Sequence, residues 1–427
     1  MMLENLKNKK ILILGFGREG KDSFLFLRKL FPNKTLGVAD RLKIKDLRFK
    51  KTDLHLGEKY LEAIKNYDVI IKSPGIPLKI IKPSIKRGQK ITSQTEIFFD
   101  NCPGIIIGIT GTKGKSTTTS MIYKILKAGG FRAHLVGNIG KPVLSHLLTS
   151  TPKDIYVYEL SSHQLRGLKK SPHIGVFLNI YSEHLDYYKN MEEYVAAKSN
   201  IALWQTKDDY LIYNSGDKKV NTIVKKSKSQ KIPIRGEYYG LDKNAAREVG
   251  KIFEIPPKII EKTIKEFKYL PHRLEKVGTF KGITFYNDAL ATIPEATMAA
   301  LKSLGRKVQT LMLGGFERNI DFSNLAKAVL RHKIKTVILF PTTGERIWKS
   351  IRQAQDKARK KHLVASHIEP FFTNNMKDAV KIAYQNTGKG KICLLSTASS
   401  SFSIFKDYKE KGNLFKKFVK SYGKQRK

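Results

Sequence analysis

Acidic residues are scarce in this chain. Asp and Glu number 37 against 80 Lys and Arg, a formal net charge of +43. An excess of that size attracts polyanions, so nucleic-acid binding is the first class to weigh. The lysines, however, are scattered through every segment, without a long basic arm and without a nucleic-acid motif. We read them as filling solvated positions, with a field that favours anionic substrates and with no specific nucleic acid as partner. Cysteine is nearly absent. Cys102 and Cys393 carry no metal-ligand spacing, so each is expected to be a reduced core or surface residue. Long apolar runs are missing too. None approaches the roughly 18 residues of a membrane span, and no apolar stretch precedes a cleavage site. A cytoplasmic monomer with no membrane partner is the expectation. What remains is 427 residues, 41% hydrophobic and 10% aromatic, enough for two to four globular domains. No internal repeat, heptad or low-complexity tract stands out.

The most informative stretch is GIIIGITGTKGKSTTT, residues 104–119. Residues 104–109 are rich in isoleucine, the pattern of a strand buried on both faces. A glycine-rich turn and a hydroxyl-rich helix start follow. That geometry binds phosphate, because glycines let backbone N–H groups close on the anion and the helix dipole adds favourable potential. The match to G-x-x-x-x-G-K-[ST] is imperfect, since Ile109 stands where the pattern wants glycine. The loop present is Gly111, Thr112, Lys113, Gly114, Lys115, Ser116. Lys115 would reach the terminal phosphates, and the hydroxyl of Ser116 or Thr117 would face Mg²⁺.

Upstream, residues 10–40 read as a strand, a helix and a second strand. GFGREG, residues 15–20, is a full G-x-G-x-x-G, and Asp40 lies about twenty residues further on. Alone this suggests NAD, but the same device holds any nucleotide diphosphate. A third strand, 69–72, runs into Ser73, Pro74 and Gly75, a turn at the carboxyl end of a strand where open α/β sheets bind ligands. From about residue 100, strands are expected at 104–109, 131–136, 155–159, 174–179 and 210–213, alternating with helices. A last set follows near 283–286, 308–313, 336–340 and 391–396. The fold class is α/β in three domains: Rossmann-like over 1–95, a P-loop ATPase-type parallel sheet over 96–271, and a second Rossmann-like domain over 272–427.

A second constellation follows the strand at 155–159. Glu159 at a strand end beside a phosphate loop suits a hard cation such as Mg²⁺. His184 again follows a strand, and Lys198 lies on a helix starting near Met191. From spacing alone, His184 reads as structural and Lys198 as solvated.

Together these residues carry a resemblance. GTKGKS (111–116), GNIG (137–140), ELSSHQL (159–165), NIYSEHLD (179–186), YVAAK (194–198), LPHRLE (270–275), NDALATIPEAT (287–297), LGGFER (313–318) and LLSTASSSFSIFKDYKEKG (394–412) occur in one order over nearly the whole chain. The set resembles the Mur ligase family, and within it the members that join D-glutamate to UDP-N-acetylmuramoyl-L-alanine. GFGREG and SPGIP also fit, in a first domain that takes UDP and not NAD.

The resemblance implies ATP-dependent amide formation through an acyl phosphate, in peptidoglycan synthesis. It implies that Gly111 to Thr117, with Asn244, Arg273 and Asp288, hold ATP, and that Ser116 and Glu159 hold one Mg²⁺. His184 and Lys198 would serve a second Mg²⁺ site, with Lys198 as a carbamate, and Lys115, His184 and Lys198 would be the catalytic set. Gly15, Phe16, Gly17, Arg18, Asp40, Arg41, Ser73, Pro74, Gly75, Asn138 and Ser161 would contact the UDP substrate. Thr292, Arg318, Ser401 and Phe402 would receive D-glutamate. Three positions depart from the family pattern: Lys113 and Leu290 replace an asparagine and a lysine, and the asparagine that usually precedes Asn244 is missing. Competing readings are another Mur-type ligase, an NAD-dependent dehydrogenase, which leaves the phosphate loop unexplained, and a nucleic-acid-linked NTPase. A folylpolyglutamate synthase would begin directly with the phosphate-loop domain.

Overall fold

The computed structural model describes residues 3–42, 51–181, 187–236, 239–267, 270–360 and 367–424. It forms two compact units, Met1–Phe267 with two sheets and Lys268–Lys427 with one.

The first sheet contains β1 (Ile11–Leu14), β2 (Leu36–Asp40), β3 (Thr52–Leu56), β4 (Val69–Lys72) and β5 (Lys90–Thr92). All are parallel, in the order β3-β2-β1-β4-β5. Every residue of β1 is buried, as its unbroken ILIL run requires. Strand order reverses between β1 and β4, so a crevice opens at their carboxyl ends. Gly15 and Ser73 stand there.

The second sheet contains β6 (Ile105–Thr110), β7 (Arg132–Gly137), β8 (Asp154–Glu159), β9 (Ile174–Phe177), β10 (Tyr210–Asn214) and β11 (Gln230–Ile234). It is also fully parallel, in the order β11-β10-β9-β6-β8-β7. β6 lies between β8 and β9, which makes the loop after it the switch point of this sheet. Helix Lys115–Ala128 follows that loop and packs against helices Tyr239–Ile252 and Pro257–Glu266.

The two sheets of the first unit share one apolar core. Helix Gln94–Asn101 leads from one to the other, and its Phe98 lies edge-on to Tyr156 and Tyr158 of β8, with ring centres 5.0 and 6.0 Å apart. Gln94 adds a polar clasp. Its amide donates to Asp22 Oδ2 at 2.9 Å, and the same oxygen accepts the Leu144 N–H at 2.9 Å.

The second unit carries β12 (Glu275–Phe280), β13 (Ile283–Asn287), β14 (Val308–Gly314), β15 (Thr336–Phe340), β16 (Glu369–Phe372) and β17 (Ile392–Leu395), in the order β12-β13-β17-β14-β15-β16. Only the β12–β13 pair is antiparallel. Among the described residues, no helix is long and apolar enough to cross a membrane.

Candidate active site

The phosphate loop takes the shape its glycines predict. Gly114 has φ +90°, a left-handed conformation, and a Cβ there would stand 2.5 Å from Asp242 Oδ1. Glycine meets both demands. Asp242 is itself buried and accepts the Thr118 hydroxyl at 2.9 Å, so it ties the helix after the loop to helix Tyr239–Ile252. Asn179, at the end of the β9 segment, clamps the loop from the other side. Its Oδ1 accepts the Lys113 N–H at 2.8 Å, its Nδ2 donates to the Lys113 carbonyl at 3.0 Å, and its carbonyl accepts the Thr112 N–H at 2.9 Å. The Lys115 ammonium donates to the Gly111 and Thr112 carbonyls at 2.9 and 3.0 Å. A lysine folded back on its own loop is positioned to exchange those carbonyls for phosphate oxygens. Ser116 and Thr117 form the first turn of the helix.

Glu159 ends β8 and is 1% exposed. Its Oε1 accepts the Asn138 amide at 3.3 Å, while Oε2 is buried without a hydrogen-bond partner among the described residues. A buried carboxylate oxygen left over in this way costs free energy unless a cation or donor completes it, so the residue fits Mg²⁺. The described residues hold no group of three His, Cys, Asp or Glu side chains suited to a metal. A cation here would draw on Ser116 and on nucleotide oxygens. His184 lies outside the described residues.

Lys198 is not solvated. It is 1% exposed, and its Nζ donates to the Gly111 carbonyl at 2.9 Å and to Thr110 Oγ1 at 3.4 Å, with the Tyr194 ring centre 5.0 Å away. It lines a cavity of about 350 Å³ together with Lys115, Asn138, Ser161, Tyr194, Pro74, Gly75 and Glu19. Candidates for the ATP site and for the UDP-substrate site thus share one space.

A second cavity of about 260 Å³ lies over the first glycine loop and is lined by Gly15, Gly17, Arg18, Glu19, Ser73, Pro74 and Asn138. Gly15 has φ +89°, and a Cβ there would press on Ser73 at 2.8 Å. Ser73 Oγ in turn donates to the Gly15 carbonyl at 2.8 Å. Arg18 donates to the Gly140 carbonyl at 2.6 Å. Asp40 spends both carboxylate oxygens on backbone, accepting the Phe16 N–H at 2.6 Å and the Leu42 N–H at 2.8 Å. Its visible task is to shape the loop. Arg41 pairs with Glu58 at 3.3 Å, and both side chains are exposed. Ser161 caps the short helix Ser162–Leu165, in reciprocal hydrogen bonds with Gln164. Asn244 donates to the Arg235 carbonyl at 2.7 Å and accepts from Arg247 at 2.6 Å.

In the second unit, Asp288 follows β13 and is buried. It accepts the Leu274 N–H at 3.0 Å and the Ser396 hydroxyl at 2.9 Å. Burial pushes its carboxyl up to about 6, against these hydrogen bonds and the pull of Arg273 and Lys411. The buried Lys411 ammonium donates to Thr397 Oγ1 at 2.6 Å, and burial lowers it to about 7. Phe316 N–H donates to the Ser400 carbonyl at 2.8 Å, which brings the Arg318 loop beside the Ser401 loop. Ser401 Oγ is buried without a hydrogen-bond partner among the described residues. Arg318 and Phe402 are exposed, and Thr292 is partly buried.

Sequence reasoning gave no role to Asn179, Asp242, Gln164, Glu19 or Lys411. Asn179, Gln164 and Lys411 stand inside the quoted motifs and Glu19 inside GFGREG, so their places were visible but not their tasks.

Comparison with known proteins follows the same lines. The Mur ligase middle domain model matches residues 109–268, and the model for the Mur ligase glutamate ligase domain matches residues 272–399. The UDP-N-acetylmuramoylalanine--D-glutamate ligase of Acetivibrio thermocellus is 33% identical over 98% of this chain and 97% of its own length. The enzyme of that name from Clostridium kluyveri is 33% identical over 97% of each chain. Among solved structures, MurF ligase from Thermotoga maritima in complex with ADP superposes with a TM-score of 0.60 at 14% identity, covering 96% of this chain and 95% of that one. A pseudomurein peptide ligase type C from Methanothermus fervidus gives 0.56 at 19%, covering 96% and 100%. The chain belongs to the Mur ligase family.

Proposed function

We propose that the chain is an ATP-dependent acid–amino-acid ligase that joins D-glutamate to UDP-N-acetylmuramoyl-L-alanine in the cytoplasm, as a step of peptidoglycan synthesis. The observation that carries this reading is the 350 Å³ cavity, where the phosphate-loop lysine meets Pro74, Gly75, Asn138 and Ser161 from the substrate side. A carboxylate is a poor acyl donor. Transfer of the γ-phosphoryl group of ATP to it gives an acyl phosphate, which the amine of D-glutamate attacks. The tetrahedral adduct then expels phosphate and leaves the amide. Charge spreads over phosphoryl oxygens throughout, so the protein's part is positioning and electrostatics.

Lys115 and the loop amides bring positive charge to the terminal phosphates. Ser116 and Glu159 would hold Mg²⁺, which when bound neutralises charge on the β- and γ-oxygens. Lys198, as a carbamate, would offer oxygen ligands at a second cation, with His184. The regions 1–95, 96–271 and 272–427 are assigned to the UDP substrate, ATP and the amino acid. Arg273, Asp288 and Asn244 are assigned to the nucleotide. Arg318 and the unpartnered Ser401 hydroxyl suit a dicarboxylate, with Thr292 and Phe402 beside them.

Phosphate release with ATP, Mg²⁺ and UDP-N-acetylmuramoyl-L-alanine, across a panel of amino acids, tests the reading. D-glutamate alone should support turnover. Preference for another amino acid would move the chain to a different Mur-type ligase. NAD-dependent oxidation without phosphate release would replace the reading altogether.

A further inference from the structure

Glu19 is an anomaly within a site for anions. It is the second residue of helix Arg18–Leu30, directly over the loop that would take a diphosphate, and it lines both the 260 Å³ and the 350 Å³ cavities. One carboxylate oxygen is engaged: Oε1 accepts the Gln164 amide at 2.7 Å. Gln164 is oriented by its own bonds, since its Oε1 accepts the Ser161 N–H and hydroxyl at 2.9 and 3.0 Å. The other oxygen, Oε2, is buried and has no hydrogen-bond partner among the described residues. A carboxylate half-satisfied in this way is held in one orientation by its bonded oxygen, and it keeps a spare acceptor on a side chain that lines both cavities.

We propose that Glu19 is a specificity-determining residue for the sugar-peptide half of the substrate, its Oε2 accepting a hydrogen bond from an amide N–H or hydroxyl where the two cavities meet. The inference rests on the ligase reading above and goes beyond it by naming the group that tells the full substrate from its nucleotide. A diphosphate has no donor to offer a carboxylate at neutral pH, and the ribose hydroxyls and uracil N–H of UDP lie on the far side of it from the sugar-peptide half. An N-acetyl sugar bearing a lactyl-alanyl chain has several. Buried acceptors of this kind discriminate strongly, because a ligand lacking the donor leaves them unpaired.

The surroundings keep the group close to titration. Burial raises its carboxyl to about 6, while the Gln164 hydrogen bond and the charges of Lys72 and Arg18 lower it and Asp22 raises it. Tyr158 faces it from β8, and Lys115 and Lys198 line the same cavity. Above pH 6 Oε2 is an acceptor. Below it, the added proton removes that acceptor.

The test uses the full-length protein and calorimetry with two probes, UDP and UDP-N-acetylmuramoyl-L-alanine. In Glu19→Gln the amide oxygen keeps the bond from Gln164 and the NH₂ group turns to the cavity, placing a donor where the substrate also brings one. Affinity for the full substrate should fall roughly 10- to 100-fold, the range of one charge-assisted hydrogen bond, with UDP affinity not reduced. Wild-type affinity for the full substrate relative to UDP should also weaken below pH 6, and the variant should lose that dependence. Glu19→Ala serves as the check on packing and should show the same split between probes. Equal weakening for both probes would reduce Glu19 to a structural residue and overturn the proposal, as would unchanged binding of the full substrate. Failure of the wild-type protein to bind the full substrate at all would instead defeat the ligase reading, and the proposal with it.

Discussion

Replacing Lys198 separates two roles for one amine. As a cation it contributes a hydrogen bond to the Gly111 carbonyl at 2.9 Å and lies 5.0 Å from the Tyr194 ring centre. A charge-assisted bond of that kind contributes about 1.5–3 kcal/mol. If all of it were lost from the transition state, at 1.36 kcal/mol per decade, turnover would fall about 10- to 150-fold. Arginine would then restore much of the rate, because it too is a cation with donors. As a carbamate the side chain acts differently: it brings oxygen ligands to a cation, and arginine brings repulsion. On that role Lys198→Ala should lose more than about 1,000-fold in kcat, beyond what the tether explains. The cavity left on this 1%-exposed position would admit a small acid, so acetate or formate in the millimolar range should recover part of the rate. Lys198→Arg should be inactive and should not respond. The assay is phosphate release at saturating ATP, Mg²⁺ and substrates, with and without formate. An alanine variant slowed by less than about 150-fold, with an arginine variant near wild type, would refute the carbamate.

Other expectations are equally open to measurement. Lys115→Ala should abolish ATP turnover with the circular dichroism spectrum unchanged; retention of more than about a tenth of wild-type kcat, a loss under roughly 1.4 kcal/mol, would contradict the phosphate-loop assignment. Calorimetry should detect UDP binding and no NAD binding, and the opposite result would favour a dehydrogenase. Asp288 titrates near 6 in the fold against an ordinary 3.8, so the folded state holds its proton more tightly and stability falls as pH rises between those values. The full penalty above pH 6 is about 3 kcal/mol at 1.36 kcal/mol per unit. Asp288→Asn, which keeps an oxygen for the Leu274 N–H, should therefore gain stability over wild type as pH increases from 4 to 7.5, as read by urea denaturation. A difference that does not change with pH would show that the carboxyl is not strained by burial.

The sequence made the centre of each sheet legible and hid most of its rim. β1, β4, β6, β8, β9, β14, β15 and β17 follow apolar runs that the sequence shows, because strands buried on both faces need such runs. β3, β5, β11, β12 and β16 were not foreseen, and every one is an edge strand. Edge strands bury little, so no run marks them. β3 has no fully buried residue, while Pro233 and Pro370 punctuate β11 and β16 in the way edges tolerate. The site shows the same division. Lys115 and Glu159 could be read from chemistry and position alone. Lys198 could not, because a nine-residue helix with two glutamates in its first turn does not reveal that its one lysine, near the carboxyl end, is buried. Asn179 and Asp242 act through contacts 66 and 124 residues apart in the chain, which no local pattern encodes.

The common core under the first two sheets bears on how this chain can be divided. Phe98 sits on the helix that begins at Gln94, yet its aromatic partners are Tyr156 and Tyr158. A fragment ending at residue 95 would keep the glycine loop but lose that ring and the Leu144 anchor for Asp22. It would present bare apolar surface where the second sheet belongs. The first sheet is thus not a separate folding unit. Chimeras that graft another first domain at this joint need to carry Gln94 through Asn101 and a matched face of β8, or they should aggregate.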